Sequence, residues 1–355
     1  MSRSPRSRTG STSAGPGRRE LFSVLAALAL LTVVSACGDD DSSDSTGRPD
    51  EAGTTDTFPV TIEHAFGETV ITEAPERVVA WGWASADASI ALGVVPVAIP
   101  FQDYGADAKG VLPWIREALE DQGTEIPTVL PNADEPPFEA MANAEPDLIL
   151  AVYSGITESD YELLSKIAPT VAYPGKAWST PWRDVITTVG TALGRSAAAT
   201  TLLEDIDATV DEKADAHPKF DGKSIAMVWD VGGTFYVYRE ADPRVEFALA
   251  LGFVSAPSVD ALANGESTFY YTLSYEQLSN LTSDVLVSFA DTEELQETFL
   301  ASSHAQLLPQ VKAGTVASVV GPEFISSVSP PTALSLTWGI DEYVEILSGA
   351  AKAAE

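Results

Sequence analysis

The chain has one cysteine, Cys37, and three histidines in 355 residues. A lone cysteine excludes an internal disulfide and any site built from cysteine clusters, such as zinc ribbons or most iron–sulfur centres. Three histidines leave little for a histidine-rich metal site. Cations are also scarce, with 20 Lys and Arg against 52 Asp and Glu and a formal net charge of −32. The first 36 residues take five of the arginines and one glutamate, so the rest carries 15 basic against 51 acidic residues. Such a surface repels phosphate backbones and excludes a nucleic-acid partner; its plainest effect is solubility. Catalytic motifs are missing too. There is no Gly-x-Ser-x-Gly elbow and no His-Glu-x-x-His pair. A Ser-His-Asp triad would have to draw on His64, His217 or His304. Carboxylate pairs among so many acids keep a surface glycoside hydrolase as the enzyme alternative, and a purely adhesive protein is a third reading. Hydrophobic residues make up 45% of the chain, so the bulk is expected to fold.

Residues 18–36 read RRELFSVLAALALLTVVSA. Two arginines lead about fifteen apolar or small residues, as in an export signal, and the run is short for a spanning helix of ~20 apolar residues. Val34-Ser35-Ala36-Cys37 looks like a bacterial lipobox, in which the cysteine is lipidated and becomes the first mature residue. This accounts for a unique cysteine at this place. Arg18-Arg19-Glu20-Leu21-Phe22 also resembles a twin-arginine signal, so export by Sec or by the twin-arginine route stays open. Asp39 to Asp56 is acidic and rich in Ser, Thr and Gly, and reads as a flexible tether. The expected location is the outer face of the cell membrane, held by a lipid. No later segment is long and apolar enough to span.

Two stretches of the remainder match. Aligning Glu139 with Glu276 puts Met141 on Leu278, Asn143 on Asn280 and Asp147 on Asp284. In each copy a short helix is expected at the Glu, started by Pro137 in one and by a Ser274/Gln277 capping box in the other. Each is followed by an apolar triplet that suits a buried parallel strand: Leu148-Ile149-Leu150 or Val285-Leu286-Val287. Upstream, ERVVAW (76–81) and KSIAMVW (223–229) are strand-like, and each precedes a helical stretch ending in Leu-Gly. The order strand, helix, Leu-Gly, Glu-led helix, Asp-led strand thus occurs twice, which predicts two α/β lobes built alike. Between them, 196–217 lacks Gly and Pro. Apolar residues recur there at helical spacing, at Ala199, Leu202, Leu203, Ile206 and Val210. With Ser196 as cap and Pro218 as stop, it predicts a helix of ~20 residues and ~30 Å joining the lobes. The expected division is a signal peptide at 1–36, a tether at 37–57, an N-terminal lobe at 58–179, a linking helical segment at 180–217 and a C-terminal lobe at 218–355.

At this point the chain resembles the class III substrate-binding proteins of ABC importers, which serve ferric siderophores, haem and cobalamin. The motifs that carry the resemblance are Ala74-Pro-Glu-Arg-Val-Val79, Ala91-Leu-Gly-Val94 with Pro96-Val97, and Glu139 through Pro146-Asp-Leu-Ile149. Leu164-Ser-Lys-Ile-Ala-Pro169, Ala192-Leu-Gly-Arg195 and Ser274-Tyr-Glu-Gln-Leu278 add to them. Their order and spacing over residues 58–350 make it specific. It implies an α/β fold of two Rossmann-like lobes joined by a single long helix, with a ligand cleft between them. It also implies a permease and its ATPase subunits as partners, with Glu139 and Glu276 docking on the permease. A monomer without cofactor or catalytic residues is expected.

A cleft for a metal complex needs flat aromatic faces and a few polar groups, placed where α/β sheets put their ligands, past the carboxyl ends of the strands. On that ground the candidate ligand contacts are Trp81, Trp83, Tyr104, Tyr153 and Trp178 in the first lobe. Trp229, Tyr236, Tyr238, Arg239, Tyr271 and Phe324 are the candidates in the second. Phe101 and Tyr270 lie in the same segments. Arg239 is a candidate for holding the oxygens around ferric iron, with a salt bridge to Glu240 or Asp242 as the plainer alternative. Arg77, Asp147 and Asp284 are expected to be structural. Few cations favour a neutral or cationic ferric hydroxamate over an anionic catecholate. Haem and cobalamin remain open, and for haem a Tyr or His64 would have to supply the axial ligand.

Overall fold

The computed structural model describes residues 56–355. Cys37, the lipobox and the tether up to residue 55 lie outside the described residues. No helix among the described residues is long and apolar enough to cross a membrane.

The chain opens with a hairpin of β1 (Val60–His64) and β2 (Gly67–Ile71). The first lobe follows: β3 (Val78–Ala80), α1 (Ser85–Ala91), β4 (Ala98–Ile99), α2 (Pro113–Asp121), β5 (Thr128–Val129), α3 (Phe138–Asn143), β6 (Leu148–Ala151), α4 (Glu158–Leu164) and β7 (Thr170–Ala172). Its strands form one parallel sheet in the order β5-β4-β3-β6-β7. Both faces are covered, so the strands are apolar throughout rather than alternating. Val78, Leu148 and Leu150 face one core, and Val79, Ile149 and Ala151 face another.

Two helices, α5 (Trp182–Ala192) and α6 (Ser196–Ala216), lead to the second lobe. It contains β8 (Ser224–Val231), β9 (Thr234–Tyr238), α7 (Pro243–Ala250), β10 (Val254–Ser255), α8 (Pro257–Leu262), β11 (Tyr270–Thr272) and β12 (Val285–Ala290). Then come α9 (Glu293–Ala301), α10 (Pro309–Ala313), β13 (Val316–Val320), α11 (Pro322–Val328) and α12 (Ser335–Ala353). Here the sheet is mixed, in the order β11-β9-β8-β12-β13 with β10 beside β8. Gly232 and Gly233, at φ 59° and 77°, make the tight turn that sends β9 back along β8.

The internal repeat survives as hydrogen bonding. Asp147 accepts from the backbone N–H groups of Glu76 and Arg77, and Asp284 accepts from the N–H and hydroxyl of Ser224. Each carboxylate pins the start of the first strand of its lobe to the next central strand. The Ser224 bonds hold the Asp284 carboxyl below the usual carboxylate range. Arg77 donates to the carbonyls of Glu145 and Ala144 at the end of α3 and is structural as well. The Glu-led helices differ. The first is α-helical, whereas Tyr275–Asn280 is a 3₁₀ turn. The predicted Ser274/Gln277 box does not close, because the Ser274 hydroxyl meets the Gln277 side chain at 3.4 Å rather than a backbone N–H.

Helix α6 runs 21 residues, about 30 Å at 1.5 Å per residue. Ala199, Ile206 and Val210 are buried along it. Ser196 does not cap it. Asp56, 140 residues away, accepts from the N–H and hydroxyl of Ser196 and supplies the cap. The helix packs on α5 and on α7 and α12, so one hydrophobic core runs from the first sheet through α5 and α6 into the second. The C-terminal segment departs from the expected division. Pro330–Trp338 returns to the first lobe, where Trp338 packs on Trp114 and the Thr332 hydroxyl donates to Asp87 at 2.5 Å. The Trp83 indole N–H also donates to the Pro330 carbonyl.

Candidate ligand-binding cleft

Residues that follow β3, β4, β5 and β6 line one depression of the first lobe. After β3 come Trp81, Gly82 and Trp83. Gly82 sits at φ 83°, and a Cβ there would lie 2.4 Å from the Tyr153 carbonyl. Only glycine lets the two tryptophan-bearing backbones approach the loop after β6 so closely. Trp81 and Trp83 line a pocket of about 340 Å³ together with Phe101, Asp134, Asp160 and Trp178. Next to it, a pocket of about 160 Å³ is shared between lobes, with Tyr153 and Trp178 on one side and Asp242, Arg244 and Phe269 on the other. Trp178 lines both. It is 56% exposed with φ 55°, an unusual backbone for a bulky residue and one found at ligand sites more often than elsewhere. Its indole lies over Gly155, where a Cβ would come within 2.2 Å of the ring nitrogen, and meets Tyr153 edge-on at 5.8 Å.

Tyr104 and Phe324 both line a further pocket of about 450 Å³. The Tyr104 hydroxyl donates to Asp291 of the second lobe at 2.5 Å, and burial followed by this carboxylate raises its pKa. The ring of Trp229 lies 6.4 Å from that of Tyr104. Tyr238 is 9% exposed and serves as a platform for Arg244, whose guanidinium lies 3.8 Å from its ring centroid. Tyr236 stands on the same sheet face, 5.8 Å from Tyr270.

Two of the expected contacts turn away from this depression. Tyr271 is fully buried in the core on the far side of the second sheet, beside Phe235 and Leu278. The two-residue alternation of a strand decides this, since Tyr270 pairs with Tyr238 on the near face and Tyr271 pairs with Val237 on the far one. Arg239 follows the same alternation. Its guanidinium donates to Asp260 at 3.0 Å and toward the Ser267 carbonyl, so the salt-bridge alternative is the better one, although its partner is neither Glu240 nor Asp242.

The cation of the cleft is Arg244, which the sequence reading passed over. Asp242 caps α7 by accepting from the Arg244 N–H, and the same oxygen takes the Arg244 Nε at 2.7 Å. Asp242 is 2% exposed. Burial raises its carboxyl pKa, partly offset by the guanidinium. Among the described residues only Nε of Arg244 meets a carboxylate, and beside the Tyr238 hydroxyl its terminal nitrogens leave a charged, planar fork for a ligand. The signal available in the sequence was Asp242-Pro243-Arg244, an Asp-Pro helix start followed directly by an arginine in a chain short of cations.

The histidines are occupied elsewhere. His64 is buried, with Nδ1 accepting from the Phe66 N–H and Nε2 bonded to Thr69, so it has no nitrogen for haem iron. His217 bonds the Lys213 carbonyl. His304 pairs with Asp230, whose other oxygen accepts from the Tyr275 hydroxyl. Glu139 lies in the first turn of α3 and Glu276 in the first turn of the 3₁₀ segment. Both are exposed, and neither has an ion-pair partner among the described residues.

The family model described as periplasmic binding protein matches residues 78–320. Among solved structures, PiaA of Streptococcus pneumoniae TIGR4 in complex with ferrichrome is 33% identical, with a TM-score of 0.75 over 83% of this chain and 99% of that one. A periplasmic solute binding protein of Mycobacterium smegmatis is 27% identical, with a TM-score of 0.71 over 82% of this chain and 99% of that one. Staphylococcus aureus SirA, solved with staphyloferrin B, shares the fold at 24% identity and a TM-score of 0.66, over 81% of this chain and 99% of that one. A search of curated proteins found no match. The chain belongs to the periplasmic binding protein family, with the two-lobed α/β architecture of its class III members.

Proposed function

We propose that this chain is the substrate-binding protein of an ABC importer and captures a ferric siderophore of the hydroxamate type. The observation that carries the reading is Arg244. Its guanidinium lies over the Tyr238 ring and is tied to Asp242 through Nε, with its terminal nitrogens paired to no carboxylate, in an aromatic cleft between two lobes. A hydroxamate complex offers iron-bound oxygens of partial negative charge and apolar arms. The fork takes the oxygens by charge-assisted hydrogen bonds, and the tryptophans and tyrosines cover the arms. PiaA, solved with ferrichrome, supports the same ligand class.

Binding rather than catalysis is the proposed task. Glu139 and Glu276, exposed at matching places of the repeat, are the proposed contacts with the permease, and the ATPase subunits drive release. Lipidation at Cys37 would hold a monomer at the outer face of the cell membrane. The test is tryptophan fluorescence of the protein titrated with ferrichrome, a ferric catecholate, haem and cobalamin. Saturable quenching at sub-micromolar ferrichrome supports the reading. Quenching by haem or cobalamin alone would move the ligand class, and no response to any of them would overturn siderophore capture.

A further inference from the structure

The cleft is chemically uneven, and Trp178 marks the division. On one side is the pocket shared between lobes, which holds Arg244. On the other is the larger pocket of the first lobe, and it has no cation in its lining at all. Trp81, Trp83, Phe101 and Trp178 line it together with Asp134 and Asp160. Asp134 is exposed and has no hydrogen-bond partner among the described residues. Asp160 commits Oδ2 to the Thr157 N–H and hydroxyl in the capping box of α4 and leaves Oδ1 over. Indole faces beside carboxylates form the surroundings that favour an organic cation, because the ring quadrupole and the acid both attract it. The strained backbone of Trp178 keeps its ring between the two pockets.

We infer that the cleft is bipartite, and that its preferred ligand is a ferric hydroxamate with a pendant ammonium group. The iron-centred head lies at Arg244 and the cationic arm lies in the Trp81–Trp83–Asp134–Asp160 compartment. This rests on the siderophore reading and adds to it the charge of the ligand and the place of its arm. Ferric iron and three hydroxamates cancel in charge, so such a complex carries a single positive charge on its arm. A tris-catecholate complex carries three negative charges and would bring them against both carboxylates with one guanidinium to offset them. That guanidinium is itself shared with Asp242.

The test uses the full-length protein in detergent and two ligands that differ only in the arm. These are ferrioxamine B, whose free arm ends in a primary ammonium, and its N-acetylated form, which is neutral. Ferrichrome serves as a third, unrelated hydroxamate. At low salt the ammonium form should bind about tenfold more tightly than the acetylated one. The ratio should shrink as sodium chloride is raised, because the arm's charge is then screened. In Asp134→Asn the ratio should fall to about threefold or less. Equal affinities for the two forms at low salt would overturn the inference while leaving hydroxamate capture intact, since both would still bind. No binding of either form or of ferrichrome would remove hydroxamate capture and this inference with it. If Asp134→Asn does not fold, the acetylation and salt ratios on the unaltered protein decide alone.

Discussion

The two lobes are alike where their strands begin and different where they end. At the amino ends Asp147 and Asp284 make the same clamp on the neighbouring strand. At the carboxyl ends the first lobe ends in Trp81-Gly82-Trp83. The second lobe extends β8 into a hairpin that carries Tyr236 and Tyr238, and Arg244 follows on the next helix. Packing a parallel strand against its neighbour poses the same problem in both lobes and has one solution. In the proposed reading the ligand meets the carboxyl ends, and the difference between the lobes is concentrated there. One lobe supplies indole faces and carboxylates, and the other supplies the cation.

The sharpest way to break this asymmetry is Arg244→Ala. Loss of charge-assisted hydrogen bonds is expected to weaken ferric hydroxamate binding by about 1.5–3 kcal/mol, measured by fluorescence titration. The same change leaves Asp242, 2% exposed, without its cation, and a broken buried pair costs about 3–5 kcal/mol in denaturant unfolding. The sign of its pH dependence follows from the raised carboxyl pKa. A group whose folded pKa lies above its unfolded one favours folding at low pH and loses that contribution as pH rises. The variant should therefore recover stability as pH falls toward the folded pKa, and a flat profile would count against an unpaired buried Asp242.

The junction that lets the lobes act as one body is next. Asp87 is 2% exposed and accepts from the Trp114 indole and the Thr332 hydroxyl, one from each side of the lobe division. Asp87→Ala orphans two buried donors and should cost about 2–4 kcal/mol. An outcome within about 0.5 kcal/mol of the parent would show that the C-terminal segment is held by its tryptophan packing alone.

How much of this was legible beforehand follows the same division. The Asp-led strands, the Leu-Gly ends of α1 and α7 and the long helix are local signals, fixed by periodicity and by breakers. The aromatic content of the cleft was legible as well, because Trp81 and Trp83 follow a strand and Trp178 lies just before the linking helices. What was not legible depends on contacts far apart in sequence. Asp56 capping α6 and Pro330–Trp338 returning to the first lobe have no local mark. Tyr271 was one residue out of phase with Tyr270, and the register of β11 against β9 settles which ring faces the ligand. Arg239 stands out in the sequence for its neighbouring tyrosines and Arg244 does not, although strand alternation turns Arg239 toward Asp260 while the capped start of α7 holds Arg244.

A smaller effect sharpens the likeness between the lobes. Asp147→Ala and Asp284→Ala each remove backbone-directed hydrogen bonds at an exposed edge, and each should cost about 1 kcal/mol in urea unfolding. The two sites share no partner, so the double variant should add to within about 0.5 kcal/mol. Markedly unequal losses would mean that the repeat is geometric and no longer energetic. For Asp284 the folded pKa is lowered, so its contribution is present above the unfolded carboxylate value and fades as pH falls through the folded one.

The smallest effect concerns His64, in the opening hairpin that packs on β7 of the first lobe. Its Nδ1 accepts the Phe66 N–H, so the neutral ring carries its proton on Nε2 and donates it to Thr69. Protonation would place a second proton where the Phe66 N–H already points, and burial lowers the pKa because the charged ring loses its hydration. A histidine lowered in this way favours folding above the unfolded value of about 6.5, and its contribution is lost as pH falls below that. Asp87 and Asp242, both raised, push in the opposite direction as the solution is acidified. The raw pH profile therefore mixes the three, and the difference between the parent and His64→Gln isolates one. Unfolding free energies of the two proteins should run parallel above about pH 7.5 and converge below about pH 6 as the parent loses its advantage. Parallel curves throughout would mean that the hairpin opens far enough to solvate the protonated ring without cost.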